Sequence, residues 1–486
     1  MDQLPDNVLV LVLQHVEVRD LFTCRLVCKR LGRLAMLPDV WRHQNLHRGS
    51  AAYSPALVSL VLRLAPRLRL LYVRLSAEKR YQWAYASTRC AVAKLRLKVG
   101  GKGATGASDA AAMICRQEML GRLESIHIGI HIPRAIEVPT LWGTLASTSR
   151  LKSLRVIVQN LALADWTPPI TAAPVLSTPV LTSSLGAFRS DLLPGLTPYA
   201  SKILAGHAPT LERVVLKGGA HSMTSTTTAS LLAAMPNLKV LECCNLPGLS
   251  AVAACELLEV LHLTIRTEIE NRPHAAEAAK LLLRSKHLRD VRLEYAPAIS
   301  STADVGADIV LALASSGSPL EKLAITNKGC GGGHFPQMYP LMSALPRLGA
   351  LRRLQVDAQA DFLLLAITPT TAPALEQVDV SLSDGVCAHA WCHGDAVKTA
   401  VPANPSLHIR FKASTVVYCG ENSCAEACSV GCHTVLRDRI AVNGETCFLL
   451  FSHDTATKCS LDHTTDGQLP FAMFEKEAAP RSMPTP

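Results

Sequence analysis

Aromatic side chains are scarce in this chain. Phe, Trp and Tyr together make up 5% of the residues, so any core must rest on Leu, Val, Ile and Ala. Charge is thin as well, at 18% against 49% apolar residues, a balance that speaks against intrinsic disorder. No uninterrupted apolar stretch reaches the roughly 18 residues that a membrane-spanning helix needs, and the first dozen residues lack the basic start and small-residue cleavage site of a secretory leader. The expectation is a chain without a membrane partner, working in the cytoplasm or nucleus. Also missing are G-x-x-x-x-G-K-[ST], H-E-x-x-H and G-x-S-x-G. No catalytic constellation is legible, so a non-enzymatic protein without a cofactor is expected.

At 486 residues the chain is longer than one compact core supports, which implies several domains or a repeat architecture. Its sixteen cysteines, with no sign of secretion, read as free thiols rather than a disulfide framework. The net charge of +10 is concentrated in residues 1 to 100, where 17 Lys and Arg stand against 6 Asp and Glu. Such a front end suits an acidic partner, or is an ordinary solvated surface; no nucleic acid is expected as a partner.

Residues 4 to 46 read as three short helices. Leu4-Pro5-Asp6 opens the first, because Pro is tolerated at the first helical position and an acid suits the positive helix end. Val8, Leu9, Val12, Leu13 and Val16 follow at helical spacing. A second apolar set then runs through Leu21, Cys24, Val27, Cys28, Leu31 and Leu34, before Pro38 and Trp41. About 45 residues bury too little surface to be stable alone, so this segment is expected to complete its core against another protein.

These residues resemble the F-box family at Leu4-Pro5, Leu9, Leu13, Asp20-Leu21, Leu26-Val27-Cys28-Lys29-Arg30, Pro38 and Trp41, although many members carry Trp where this chain has Leu31. The resemblance implies that Leu4, Pro5, Leu9, Leu13, Leu21, Leu26, Val27, Cys28, Leu31 and Trp41 contact a Skp-type adaptor. Through that adaptor the chain would reach a cullin and the ubiquitin-conjugating machinery.

From residue 68 onward one pattern returns: an apolar residue, two variable ones, then two apolar residues separated by one. Twelve copies run from Leu68, Leu71, Val73 to Leu375, Val378, Val380, at intervals of 20 to 34 residues. Each interval fits a short strand, a turn and a helix. Strand positions are rich in Val and Ile, and intervening stretches such as Ala275 to Leu283 are strong helix formers. Residues 167 to 200, with six prolines, are the least regular.

The pattern resembles the leucine-rich repeat family in its longer, helix-bearing units, without a regular Asn after the strand. This implies an α/β fold: a small N-terminal three-helix F-box, then a leucine-rich-repeat solenoid with short parallel strands on the concave face and helices on the convex face. The expected domains are an F-box at 1–46, a linker helix at 47–67, the solenoid at 68–412, a Cys-rich segment at 413–470 and a disordered tail at 471–486.

The residue between the two inward apolar positions of each copy should face the concave side. In the first half these residues are Tyr72, Arg96, His127, Arg155 and Arg189, a basic set. Arginine forks pair well with carboxylate and phosphate, so an unidentified protein substrate with an acidic or phosphorylated segment is expected there. Gly101-Lys102-Gly103-Ala104-Thr105-Gly106 matches a dinucleotide motif, but strand, loop and helix follow one another in every copy, so it reads as a loop. Eight cysteines lie between Cys387 and Cys459 with several histidines. Zinc prefers paired knuckles, whereas Cys424, Cys428 and Cys432 form one helix stripe, and no metal ligands are assigned. The functional expectation is a substrate receptor of a Skp-cullin-F-box ubiquitin ligase promoting degradation; the alternative is a non-degradative scaffold that uses its F-box for assembly alone.

Overall fold

The computed structural model describes residues 4–471, apart from 50–52, 76–78, 101–105, 132–137, 159–182, 193–196, 219–225, 267–270, 297–306, 328–336, 359, 383–387, 414–445 and 454–467. The chain divides into two compact units, Met1–Lys239 and Val240–Pro486. Among the described residues no helix is long and apolar enough to cross a membrane.

The first unit begins with four helices rather than three: α1 (Asp6–Gln14), α2 (Val18–Val27), α3 (Lys29–Ala35) and α4 (Pro38–Trp41). The apolar set from Leu21 to Leu34 is broken because Cys28 is extended, at φ −156° and ψ 164°. Its thiol accepts from the Leu31 amide at 3.4 Å, capping α3, a position where an acceptor satisfies an otherwise orphan donor. Pro38 starts α4 rather than only ending what precedes it, where its missing N–H costs nothing.

A short strand, β1 (Asn45–Leu46), follows directly, so the segment read as a linker helix starts beside a strand and holds its helix, α5 (Pro55–Leu64), later. Ser54 caps α5 by accepting from the Leu57 amide at 3.2 Å. Then come β2 (Arg67–Arg74), α6 (Lys79–Ser87), β3 (Ala91–Gly100), α7 (Gly106–Leu120), β4 (Ser125–His131), α8 (Val138–Ser147), β5 (Ser153–Val158), β6 (Ala187–Leu192), α9 (Thr197–His207), β7 (Arg213–Gly218) and α10 (Thr227–Ala233). Strands β1 to β7 lie side by side in chain order and pair in parallel. Parallel neighbours need a crossover between them, which is where the helices fall.

The register explains the core. Leu71, Leu95, Ile126, Leu154, Phe188 and Val214 are paired strand to strand in one buried row, each one side-chain period from the polar row beside it. Where the backbone leaves a buried gap, a side chain fills it: Gln117 of α7 accepts from the Val92 amide at 2.9 Å and donates to the Cys90 carbonyl at 2.8 Å.

In the second unit, strands β8 (Val240–Cys244), β9 (Val260–Ile265), β10 (Asp290–Tyr295), β11 (Lys322–Asn327), β12 (Arg353–Val356), β13 (Gln377–Ser381) and β14 (His408–Ala413) again follow chain order in parallel. Then β15 (Thr446–Phe451) runs antiparallel to β14, and β16 (Gln468–Pro470) parallel to β15. The described parts of the Cys-rich segment therefore include strands. Residues 414–445, with Cys424, Cys428 and Cys432, and the tail from 472 lie outside the described residues.

Candidate functional site

Burial divides the ten expected adaptor contacts. Leu9, Leu13, Leu21 and Trp41 are buried within the unit. Trp41 is an internal anchor: its indole N–H donates to the Ala35 carbonyl at 2.7 Å, and its ring lies 5.3 Å from Phe22. Leu4, Pro5, Leu26, Val27 and Cys28 are exposed, and Leu31 is half-buried.

Val8, Leu11 and Val12 of α1 are exposed, as is Leu4 just before it; the sequence placed Val8 and Val12 on the apolar spacing of the helix, but none of the three was assigned to the adaptor. The signal was available, because Val8 to Leu13 is apolar without interruption, and a helix apolar all round needs cover on more than one side. Arg30 of α3, beyond the break at Cys28, fastens the start of α1 to α3. Its guanidinium pairs with Asp6 at 2.7 Å and donates to the Leu4 carbonyl, while Arg33 reaches the other Asp6 oxygen at 3.0 Å.

The same four helices are fastened to the strands. Gln44 donates to the Gln14 and Val16 carbonyls at 2.9 and 3.0 Å, and its own carbonyl accepts from Arg69 and Leu70 of β2. Arg67 of β2 donates to the Pro38 carbonyl and to Asp39, both at 2.6 Å. A surface that docks a partner here is thus linked by short bonds to the first paired strands.

The second feature lies on those strands. Tyr72, Arg96, His127, Arg155, Arg189 and Val215 are matched across β2 to β7, one per strand. Neighbouring strands stand about 4.8 Å apart, so three guanidinium groups and an imidazole share one row. The Nε atoms of Arg155 and Arg189 are buried without a hydrogen-bond partner among the described residues. His127 is pushed below the ordinary imidazole range, first by burial and then by Arg155, Arg96 and Arg189. The neutral ring avoids adding a charge to a field that is already positive.

Beside the row a cavity of 620 Å³ opens against His47, Arg48, Arg69, Arg96, Lys98 and His127. Among the described residues no carboxylate lines it. The Gly49 amide donates to His47 Nδ1 at 3.1 Å. His47, Arg48, Arg69 and Lys98 lay outside the sequence expectation, although the basic excess of the first 100 residues pointed toward them.

In the second unit the corresponding row is mixed in sign: Glu242, His262, Arg292, Ala324, Gln355, Asp379 and Arg410 are aligned across β8 to β14. The glycine motif at 101–106 lies outside the described residues except for Gly106, the first residue of α7. Among the described residues no three of His, Cys, Asp and Glu gather as a metal site.

Residues 1–47 match the F-box-like family model. No curated protein matches the chain. The match covers the four N-terminal helices and β1, and a domain of this kind typically binds a Skp-type adaptor, which suggests a role with ubiquitin ligases of the Skp-cullin-F-box type.

Proposed function

We propose that this chain is a non-catalytic substrate receptor of a Skp-cullin-F-box ubiquitin ligase, and that its strands and helices are leucine-rich repeats forming a solenoid. The adaptor docks on the apolar strip of Leu4, Val8, Leu11, Val12, Leu26 and Val27, and a cullin joins through the adaptor. A protein segment that is acidic or phosphorylated lies along Tyr72, Arg96, His127, Arg155 and Arg189. The observation that carries this reading is the F-box-like match at residues 1–47, on a segment that leaves Leu4, Val8, Leu11, Val12, Leu26 and Val27 exposed. An exposed apolar surface of this kind on a folded unit marks a site for another protein.

The ligase reading assigns catalysis to proximity: a client held on the strands is kept near the ubiquitin donor carried by other subunits. Bonds from Arg67 to Pro38 and Asp39, and from Gln44 to the strand edge, support a fixed geometry between docking strip and capture row. Affinity purification from cells tests the proposal. Adaptor and cullin are expected to co-purify, and a client should accumulate when the chain is depleted. Reversing the charge of Arg155 and Arg189 together should abolish client capture and spare the adaptor. Recovery of adaptor with no client that rises on depletion removes the degradative role.

A further inference from the structure

We infer that the cavity bounded by His47, Arg48, Arg69, Arg96, Lys98 and His127 is a binding site for a phosphoryl group, an anion of two or more charges. The inference rests on the reading of this face as the one that captures a client, and names the chemistry it captures.

Size comes first. A volume of 620 Å³ falls within the roughly 300–1,000 Å³ typical of small-ligand sites. Gly129 lies in the same register row as Lys98 and Ile157 and contributes no side chain to the cavity it lines. A Cβ built there would meet nothing nearer than the Leu97 carbonyl oxygen at 3.9 Å, and Gly129 is not among the glycines with positive φ. The backbone would accept another residue, so glycine at this position leaves space rather than relieving strain.

Charge decides the class of ligand. Four permanent cations, Arg48, Arg69, Arg96 and Lys98, line the cavity, and among the described lining residues there is no carboxylate. None of the four joins an ion pair among the described residues. A single carboxylate carries one charge and would leave most of that field uncompensated. A phosphoryl group carries about −1.5 to −2 and offers three acceptor oxygens, which suits several guanidinium forks at once. The neutral state of His127, held down by burial and by three arginines, reports the same excess from inside the site. Two sources share this chemistry: a phosphorylated side chain of a captured protein, and a free polyphosphorylated molecule.

Isothermal titration of the full-length chain tests the assignment. The probes are inorganic tripolyphosphate, a phosphoserine peptide and its unphosphorylated twin. Saturable binding of tripolyphosphate, of the phosphopeptide or of both is expected, with the unphosphorylated peptide silent. Binding of tripolyphosphate alone assigns the site to a free molecule, and binding of the phosphopeptide alone assigns it to a modified side chain. Arg96→Gln with Lys98→Gln should weaken binding by roughly tenfold to a hundredfold for each charge-assisted bond lost. Gly129→Glu should abolish it and Gly129→Ala should keep it, with thermal midpoints showing that each variant folds. In the wild type, the His127 ring followed by NMR should titrate at higher pH once the probe is bound. No saturable binding, equal binding of both peptides, or binding that survives Gly129→Glu overturns the inference. A client that still binds a chain indifferent to both phosphate probes overturns it too and spares the capture-face reading; a chain that binds probe but no client does the reverse.

Discussion

Changing Leu26 and Val27 together to Asp separates docking from folding. Leu26 is 84% exposed and Val27 67% exposed, so the folded chain gains little from either, and surface changes of this kind usually stay within about 0.5 kcal/mol of stability. If an adaptor covers them, each apolar side chain contributes roughly 1.5–3 kcal/mol on burial. The pair then accounts for about 3–6 kcal/mol, or roughly two to four orders of magnitude in Kd, before the added cost of burying two carboxylates. Leu13→Asp is the contrasting variant. Leu13 is only 4% exposed, and a charge in its place should unfold the N-terminal helices, at a cost on the order of 3–5 kcal/mol. The assay is titration of the purified chain with a Skp-type adaptor, alongside thermal unfolding. The double variant should melt like the wild type and fail to bind; Leu13→Asp should melt early and fail for that reason. Full affinity in the double variant would refute the outward strip as the docking surface, and a normally stable Leu13→Asp chain would refute the burial argument.

Replacing Gln117 with Leu should lower stability by about 2–4 kcal/mol, since the Val92 amide and Cys90 carbonyl would each lose a buried partner; a thermal midpoint within a degree of wild type would contradict this. Among the described cysteines, alkylation with iodoacetamide should modify the exposed Cys28 and Cys115 first and leave Cys90 and Cys243 protected in the native chain. Burial pushes the Cys90 thiol up to about 12 and raises Cys243 too, so thiolate is scarce at both, and peptide mapping by mass spectrometry reads the order. His127, His207 and His393 all sit below their ordinary 6.5, with burial the leading cause in each. The unfolded chain therefore takes up protons first, so denaturant stability is fully present above about pH 6.5 and falls as the pH drops below it toward the folded values. His127→Gln should flatten part of that decline, and an unchanged profile would argue against the depressed titration.

The parts of the molecule legible in the sequence are those governed by short-range periodicity. Residues flanked by apolar neighbours at a spacing of two, such as Arg96 between Leu95 and Leu97, lie on strands with the apolar pair inward, because the pleat alternates sides at every residue. Even the Leu185-Phe188-Ser190 copy, within the proline-rich and least regular stretch, holds β6. The break at Cys28 was not legible, since Val27 and Cys28 continue the apolar spacing of α2 and nothing local interrupts it. Nor was the strand at Asn45–Leu46, two residues long and defined only by pairing with Leu70 and Leu71.

Amino-acid order alone determined where strands recur, which residue of each shares a row with its counterparts, and that the N-terminal segment resembles an F-box. Those features depend on neighbours a few positions away and on a repeat that brings each copy beside the next. Only tertiary structure decided which leucines of α1 face outward, because a run apolar on every side, as Val8 to Leu13 is, carries no internal sign of which side its own chain will cover. Tertiary structure also brought His47 and Arg48 against Lys98 and His127. Parallel pairing places residues roughly one repeat apart on adjacent strands, so charges distant in the chain meet across the sheet.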